Sequence, residues 1–405
     1  MKYMEKRDRS QISFLPECVE DYIRDENPVR VIDAFVDSLD MEALGFQKAK
    51  PAQTGRPAYD PRDLLKLYLY GYLNRIRSSR MLMRECRRNI ELFYLLGGLK
   101  PDFRTIADFR KDNAQAIRNC FRAFGKLCVK LGLYNRELLA VDGTKIRAVN
   151  SKDNCYNQEV LEKKLAHIDE KLSAYLAALD EEDTADRGTE TEAEKIKAAI
   201  EQLRSRQKKY EGILEELRES GETQILTTDP EARRMHSKDG FHCCYNVQMA
   251  VDSGSHLIAE YEVTNQKDRE YCRACRNKCT HGEWKEVSFG PETDCVPVRM
   301  FGILTEGVQE IPPDARISPS NHTLDTGHVP KKKVVLRIQD DKEKLKQRMC
   351  LSEHPFGTVK WYRGAHNLLC KGKVKAAAEL GLSFLAHNMT RAIQLVGAKA
   401  LIEAM

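Results

Sequence analysis

The fold is decided by the stretch Leu138-Leu139-Ala140-Val141-Asp142-Gly143-Thr144, in which four apolar residues come directly before a carboxylate and a glycine. A short apolar run followed by such a pair predicts a buried β-strand that ends at Asp142. A carboxylate at the end of a buried strand is costly unless a positive group or a hydrogen-bond donor meets it. Two interpretations of Asp142 stay open: an Asx turn that closes the strand, or a divalent-metal ligand held on a rigid scaffold.

A β-hairpin is predicted further along the chain. Alternate positions from Tyr245 to Val251 carry apolar residues, which is the period of a strand. The turn-forming residues 252–255 follow, and residues 256–263 resume as a second strand. Together with the helical segments described next, these strands predict a mixed α+β chain.

The first part of the chain, residues 1–125, predicts an all-helical N-terminal domain. Pro61 is a helix start signal, and apolar residues at helical spacing follow it as far as Leu73. A second helix is predicted from Met81 to Leu96, where two glycines stop it.

Basic residues are concentrated inside this helical part. Six arginines lie within one short window: Arg75, Arg77, Arg80, Arg84, Arg87 and Arg88. A solvated helix face is the favoured explanation of such a run, and a phosphate-contacting surface is a fair rival, because Glu85 is the single acidic residue among the six arginines. Arginine is also the better residue for bidentate contact with phosphate.

A different pattern occupies residues 157–220. Apolar residues recur at spacings of four and three through 161–179 and again through 196–217, and the acidic loop 180–191 joins the two runs. Two heptad helices joined by a polar loop predict an antiparallel coiled-coil hairpin. It is an insertion, and we interpret it as an interaction or spacer arm rather than a catalytic element.

A group of cysteines lies in an irregular segment predicted at residues 268–330. Cys272, Cys275 and Cys279 have the spacing C-x2-C-x3-C, and His281 follows closely. Three thiolates with a fourth ligand suit tetrahedral zinc, but the second half of a usual zinc motif is missing. Reduced structural cysteines are the favoured interpretation and zinc the alternative.

Composition excludes two broad classes of protein. The 405 residues contain 66 Lys+Arg against 61 Asp+Glu, a net charge of +5, and 41% of them are apolar. This apolar content is too high for a disordered chain, and no apolar run approaches the roughly 20 residues that span a bilayer. The charged start of the sequence lacks the apolar stretch of a signal peptide, so we expect a cytoplasmic protein with reduced thiols.

Several runs resemble the DDE transposases of bacterial insertion sequences, in the same order and over nearly the whole chain. Four of them fall in the N-terminal part: Gly55-Arg56-Pro57-x-Tyr59-Asp60-Pro61, Tyr70-Gly71-Tyr72, Ser78-Ser79-Arg80 and the run from Pro101 to Arg110. Those further on are Val141 to Ile146, Tyr245-Asn246-Val247-Gln248 with Val251-Asp252, Glu353 to Lys360, and Leu385-Ala386-His387-Asn388.

The resemblance implies a ribonuclease H-like catalytic domain over residues 130–400, interrupted by the coiled-coil and cysteine segments. It implies DNA strand cleavage and transfer with two Mg²⁺ (or Mn²⁺) ions, ligated in part by Asp142 and Glu353. Lys360 would contact the DNA backbone, and the arginine-rich helices would hold the element's ends. The implied partners are double-stranded DNA at transposon ends and target sites. A nucleoid-associated location follows from that, and a homo-oligomer is left open.

The sequence departs from the family at the second catalytic aspartate. After the hairpin, residues 263–266 run straight into the cysteine segment, and the strand that should carry this aspartate is not recognisable. Asp252 falls at the opposite edge of the sheet, and no strand pattern surrounds Asp268. We therefore expect an incomplete domain in which one flank of the Asp142 strand is unpaired.

Two functional hypotheses follow from this departure. The first is a transposase by descent that binds element ends and whose strand cleavage is weakened or lost with the missing segment. The alternative is a non-enzymatic DNA-binding remnant that competes for element ends.

Overall fold

Helices and a sheet both contribute to the structure, a computed structural model, so the mixed α+β prediction is confirmed. None of the helices in its described part is both long and apolar enough to cross a membrane. The structure describes residues 18–51, 54, 57–134, 138–185, 190–237, 240–266, 286–287, 316–318, 322–323, 334–335, 351 and 353–405.

The N-terminal part of the described chain is helical. After a 3₁₀ turn at Val19–Tyr22, its helices are α1 (Pro28–Asp37), α2 (Pro61–Leu73), α3 (Ser79–Glu85), α4 (Ile90–Leu96), α5 (Phe103–Asp112) and α6 (Ala114–Lys130). Pro61 opens α2 as predicted, and the side chain of Asp60 accepts a hydrogen bond from the backbone N–H of Arg62 at 2.8 Å. An Asp cap followed by Pro stabilises a helix start for two reasons. The Asp side chain accepts a hydrogen bond from a free backbone N–H, and Pro has no backbone N–H that needs a partner.

The prediction of a single helix from Met81 to Leu96 is wrong, because α3 and α4 are separate helices. The side chain of Asn89 accepts a hydrogen bond from the backbone N–H of Glu91 at 3.0 Å, so this residue caps α4 instead of continuing α3. The helix α4 ends at Gly97, whose φ of 56° is left-handed and suits a glycine. Arg80 and Arg84 therefore lie in α3, whereas Arg87 and Arg88 lie in the turn between α3 and α4.

A mixed sheet forms the second layer. The strands are β1 (Leu138–Arg147), β2 (Cys155–Tyr156), β3 (Ile225–Leu226), β4 (Arg233–Ser237), β5 (Gly240–Asp252), β6 (Ile258–Thr264), β7 (Glu286–Val287), β8 (Arg316–Ser318), β9 (His322–Thr323) and β10 (Val334–Val335). The main sheet has the order β4-β5-β1-β8-β9, with β6 also paired to β5. Two small pairs, β2 with β3 and β7 with β10, lie outside it. The short strands β7, β8 and β9 fall in the segment predicted to be irregular.

Strand β1 differs from its prediction in two ways. It continues past Asp142 to Arg147, because these residues keep pairing in antiparallel register with β5, so the predicted strand end at Asp142 is wrong and the Asx-turn interpretation falls with it. Its other edge pairs in parallel with β8, Leu138 lying opposite Arg316. The prediction that this flank is unpaired is therefore wrong over Leu138–Ala140.

The predicted hairpin is confirmed as β5 and β6, paired antiparallel with Met249 opposite Tyr261. Asp252 closes the turn between them: its Oδ2 accepts hydrogen bonds from the backbone N–H of Ser255 at 2.9 Å and from the hydroxyl of the same residue at 2.8 Å. This buried carboxylate is thus a structural group of the turn.

The predicted arm consists of two long helices, α7 (Gln158–Ala185) and α8 (Glu190–Ser220), which lie against each other. The side-chain amide of Gln207 donates a hydrogen bond to Asp169 at 2.7 Å, and Leu161, nearer the start of α7, packs in one cluster with Leu217, nearer the end of α8, so the helices run in opposite directions. The knobs-into-holes packing of a coiled coil stays a prediction. At the base of the arm they enclose a separate apolar cluster of Tyr156, Leu161, Ile213, Leu214 and Leu217.

The chain ends in three helices that join both layers. Helix α9 covers residues 353–362 and changes from α-helix to a π-helix at Thr358–Tyr362, α10 is Lys373–Val396 and α11 is Ala398–Glu403. Tyr261 of β6 packs against Phe121 of α6, with ring centroids 5.1 Å apart, and against Phe384 of α10, at 4.8 Å. One hydrophobic core therefore runs through the N-terminal helices, the sheet and α10.

Candidate functional site

Asp142 lies in the middle of β1, on the face that turns toward the core. It is directly opposite Met249, and its side chain shares a face with that of Thr144, because alternate residues of a strand point to the same side. Its carboxylate is half-buried, and Oδ1 accepts a hydrogen bond from the backbone N–H of Gly143 at 2.8 Å. Since Met249 is fully buried, this carboxylate stands at the border of the apolar core.

The glycine beside Asp142 is required by its neighbour across the sheet. A Cβ at Gly143 would lie 2.1 Å from Nε2 of Gln248, which covers this position. The Gln248 side chain is buried, and its Nε2 donates a hydrogen bond to Oδ1 of Asn246 at 3.1 Å. The pair of amides therefore fixes the backbone next to Asp142 from the opposite face of the sheet.

Among the site residues predicted from the sequence, Lys360 is the one for which the described contacts show a position close to Asp142. The Nζ of Lys360 donates a hydrogen bond to Oγ1 of Thr144, two residues along the same face of β1. Residues two apart on a strand lie about 7 Å from each other. An ammonium group thus stands at the edge of the same surface as the Asp142 carboxylate.

Helix α9 follows β1 along its length. At its start the ring of His354 lies 5.5 Å from that of His256 in the β5–β6 turn, and at its middle Lys360 meets Thr144. Just beyond its end, the carbonyl of His366 accepts a hydrogen bond from the backbone N–H of Arg147 at 3.1 Å. Along β1, Asp142 therefore lies between the His354–His256 contact and the Lys360–Thr144 contact.

Glu353 lies in α9 and is exposed. Seven residues of regular α-helix would place Glu353 and Lys360 on one face, but residues 358–362 form a π-helix. Because a π-helix has more residues per turn, Lys360 is rotated away from the α-helical register. Within the described residues, no three His, Cys, Asp or Glu side chains come together in a group able to hold a metal ion.

The proposed zinc ligands Cys272, Cys275 and Cys279 lie outside the described residues, as does Asp268. The cysteines that the structure does describe form no disulfide with one another.

Arg363, which the sequence analysis missed, holds the end of α9 in place. Its buried guanidinium donates to the carbonyls of Tyr72 at 2.8 Å and Ala386 at 3.1 Å, and to Oγ1 of Thr390 at 2.7 Å. Burial lowers the pKa of Arg363 to about 10, and this still leaves it charged at neutral pH. A lone arginine among aromatic residues gave no indication of this role in the sequence.

Arg77 also has an internal role. It forms an ion pair with Glu379 of α10 and donates to the carbonyls of Gly364 and Asn367, the latter at 2.6 Å. Only 10% of the Arg77 side chain and 1% of the Glu379 side chain is exposed. Arg77 therefore ties the N-terminal helices to the segment after α9. We remove it from the residues predicted to bind DNA.

The other five arginines of that set are exposed. Arg80 lies over the ring of Phe103 at 5.1 Å, and Arg88 forms an ion pair with Glu85. Arg84 and Arg87 make no ion pair with any acidic group that the structure describes. These positions form one basic surface around α3 and the turn after it.

Two exposed aromatic residues extend this basic surface toward Lys360. Trp361 is 73% exposed and its ring is stacked on that of His366, with centroids 5.5 Å apart. Tyr362 is 55% exposed and lies under the guanidinium of Arg75, at 3.3 Å from its ring centroid. Large exposed aromatic residues next to cations are typical of nucleic-acid contacts, and the sequence analysis had missed both rings.

Comparison with known proteins gives one match. Residues 17–112, which contain α1 to α5, match the family model described as Transposase domain (DUF772). This match supports a transposase-family protein. No curated protein and no solved structure matches the chain.

Proposed function

We propose that this chain is a transposase of the DDE type that binds the ends of a DNA element and has weak or no strand-cleaving activity of its own. The observation that carries the proposal is the contact of Lys360 with Thr144, which holds α9 against β1 beside Asp142. The family match covers only the N-terminal helices, so the catalytic part of the proposal rests on this geometry and on the motifs.

The sheet supports a ribonuclease H-like core in this proposal. Its central strands have the order β6-β5-β1-β8, with β5 antiparallel to β1 and β8 parallel to β1. In the family, a strand that follows the hairpin carries the second aspartate. Strand β8 takes that place but reads Arg316-Ile317-Ser318, and the next carboxylate in the sequence is Asp325.

The divalent-metal site fits only in part. Asp142 would offer one hard oxygen ligand on a rigid strand and Glu353 a second on α9, but the described residues contain no group of three such ligands. Mg²⁺ or Mn²⁺ bound by two carboxylates alone keeps most of its water and is held weakly. We therefore derive no chemical step through the metal, and we attribute the weak cleavage to this incomplete set.

DNA binding is assigned to the surface formed by the exposed arginines and the two aromatic residues. Arg84 and Arg87 would contact backbone phosphates, whereas Trp361 and Tyr362 would meet the DNA next to Lys360. Phosphate contacts position a protein on DNA without reading its sequence. The surface therefore explains affinity for DNA, and base recognition requires further groups.

The test compares binding and cleavage on the same DNA. The purified chain is incubated with duplexes that carry the sequences flanking its coding region, with Mg²⁺ or Mn²⁺, and both retention and strand nicking are measured. We expect binding that weakens steeply with salt, and nicking close to background in both the wild-type chain and Asp142→Ala. Robust nicking that Asp142→Ala abolishes would sink the claim of defective catalysis, and failure to bind DNA would sink the whole proposal.

A further inference from the structure

The arm formed by α7 and α8 has a basic groove along one side. The groove is lined by an apolar floor of Val160, Ile168 and Leu203 and by the side chains of Lys163, Lys164, His167, Lys171, Arg206 and Tyr210. On α7, Lys164, His167 and Lys171 are spaced by three and four residues, so they fall on one face of the helix. Residues 158–220 contain more acidic than basic residues, and four of their eleven Lys and Arg residues, Lys163, Lys164, Lys171 and Arg206, line this groove.

A second depression continues the groove at the base of the arm. It shares Val160 and Lys164 with the first one and adds two basic residues, Lys152 and Arg234, and one acidic residue, Asp153. The guanidinium of Arg234 lies over the ring of Phe241 at 4.8 Å, and this ring is 51% exposed. Basic and aromatic side chains therefore follow one another from the sheet out along the arm.

The cations of the groove differ in whether another side chain of the protein already contacts their charged group. Lys163 forms an ion pair with Glu159 at 2.7 Å, and the ammonium of Lys164 lies over the ring of Tyr156 at 4.8 Å. Lys171 and Arg206 are exposed, and no acidic side chain in the described part of the chain pairs with them. These two are the cations best placed to meet an external anion.

We propose that this groove binds the phosphate backbone of double-stranded DNA, as a contact surface separate from the N-terminal arginines. Lys164 and Lys171 are about 10 Å apart along the helix axis, which equals the rise of about three base pairs. A duplex that lies along the arm can therefore bring backbone phosphates to both Lys164 and Lys171. The inference rests on the proposed function, because it assumes that the chain acts on DNA.

The test uses two pairs of substitutions in the full-length chain. The groove variant is Lys171→Gln with Arg206→Gln. The matched control is Arg204→Gln with Lys208→Gln, two exposed cations of α8 that do not line the groove. Both variants lose two positive charges, and glutamine preserves helix propensity, so neither should change the helical circular dichroism.

Binding is measured on one duplex from the flanking DNA and one of unrelated sequence, over a range of salt concentrations. Each lost phosphate contact lowers the slope of log affinity against log salt by about 0.9, so we expect the groove variant to lose about 2 in slope and at least about tenfold in affinity at 0.1 M salt, equally on both duplexes. The control should change neither by a comparable amount.

The outcomes separate the two proposals. Equal behaviour of the groove variant and its control, or of the groove variant and the wild-type chain, overturns the groove and leaves the proposed function standing. A groove that serves an acidic protein instead would give that result. A wild-type chain that binds neither duplex overturns both proposals.

Discussion

Arg77 and Glu379 form an ion pair that joins the connection between α2 and α3 to the second turn of α10, with both side chains almost fully buried. Glu379 also accepts hydrogen bonds from the backbone N–H groups of Leu369 at 2.9 Å and Cys370 at 2.9 Å. The pair thus connects the region that matches a transposase domain to the segment that holds Lys360. A buried pair of this kind is costly to break, because it leaves one charge without its partner.

We therefore expect Arg77→Met to destabilise the protein strongly, by about 3–5 kcal/mol. The measurement is the free energy of unfolding in urea, with Arg84→Met as the control. Arg84 is exposed, so its substitution should change stability by about 0.5 kcal/mol or less. Similar unfolding midpoints for the two variants would show that the ion pair is not structural.

Gly143 and Gln248 should behave as a coupled pair. In Gly143→Ala the new methyl group must displace the buried Gln248 amide and break its bond to Asn246, which should cost about 1–3 kcal/mol. Adding Gln248→Ala opens the space, so the double variant should recover part of this loss. A double-mutant cycle from urea unfolding measures the coupling, and strictly additive effects would contradict the contact.

Local patterns of the sequence predicted the parts of the fold that depend on near neighbours. The start of α2 at Pro61 and the alternation of β5 from Tyr245 to Val251 are both fixed by residues close in sequence. The length of β1 could not be read in this way, because residues 143–147 are strand only through pairing with β5. The parallel partner β8 is more than 170 residues away, and nothing local indicates it.

The candidate site shows the same division. The residue types pointed to Asp142 and Lys360 separately, but their proximity depends on how α9 lies along β1. The arginine cluster was visible as a composition, whereas the internal role of Arg77 depends on Glu379, which is 302 residues away. Charge density alone cannot tell a buried arginine from an exposed one, since both appear identical in the sequence.

His387 should make stability depend on pH. Burial lowers its pKa to about 4, and its Nε2 lies 3.2 Å from the backbone carbonyl of His256. An unfolded histidine titrates at about 6.5, so between these values the unfolded chain binds a proton that the folded chain does not. Stability is unaffected above pH 6.5 and should fall by up to about 3 kcal/mol as the pH drops toward 4.

The measurement for this effect is the urea unfolding midpoint at pH 7.5 and at pH 5, for the wild-type chain and for His387→Gln. Other groups titrate over the same range, so the difference between the two proteins is the relevant quantity. We expect a smaller fall in the variant, because glutamine takes up no proton. An identical fall in both would assign the pH dependence to groups other than His387.

Trp361 should contribute to DNA binding and not to stability. Its ring is 73% exposed, so Trp361→Ala removes little buried surface and should leave the unfolding temperature within error of the wild type. If unpaired bases reach this ring, stacking on it contributes about 1–3 kcal/mol, and the variant should lose about tenfold or more in affinity for such DNA. Retention of a duplex with a single-stranded flank, compared with a blunt duplex of the same sequence, measures this contribution.

Val374→Ala, at a position 61% exposed on α10, is the control for loss of apolar surface. A loss of affinity confined to the flanked duplex and to Trp361→Ala would place an unpaired base beside Lys360, whereas equal losses on both duplexes would limit Trp361 to a contact with the backbone.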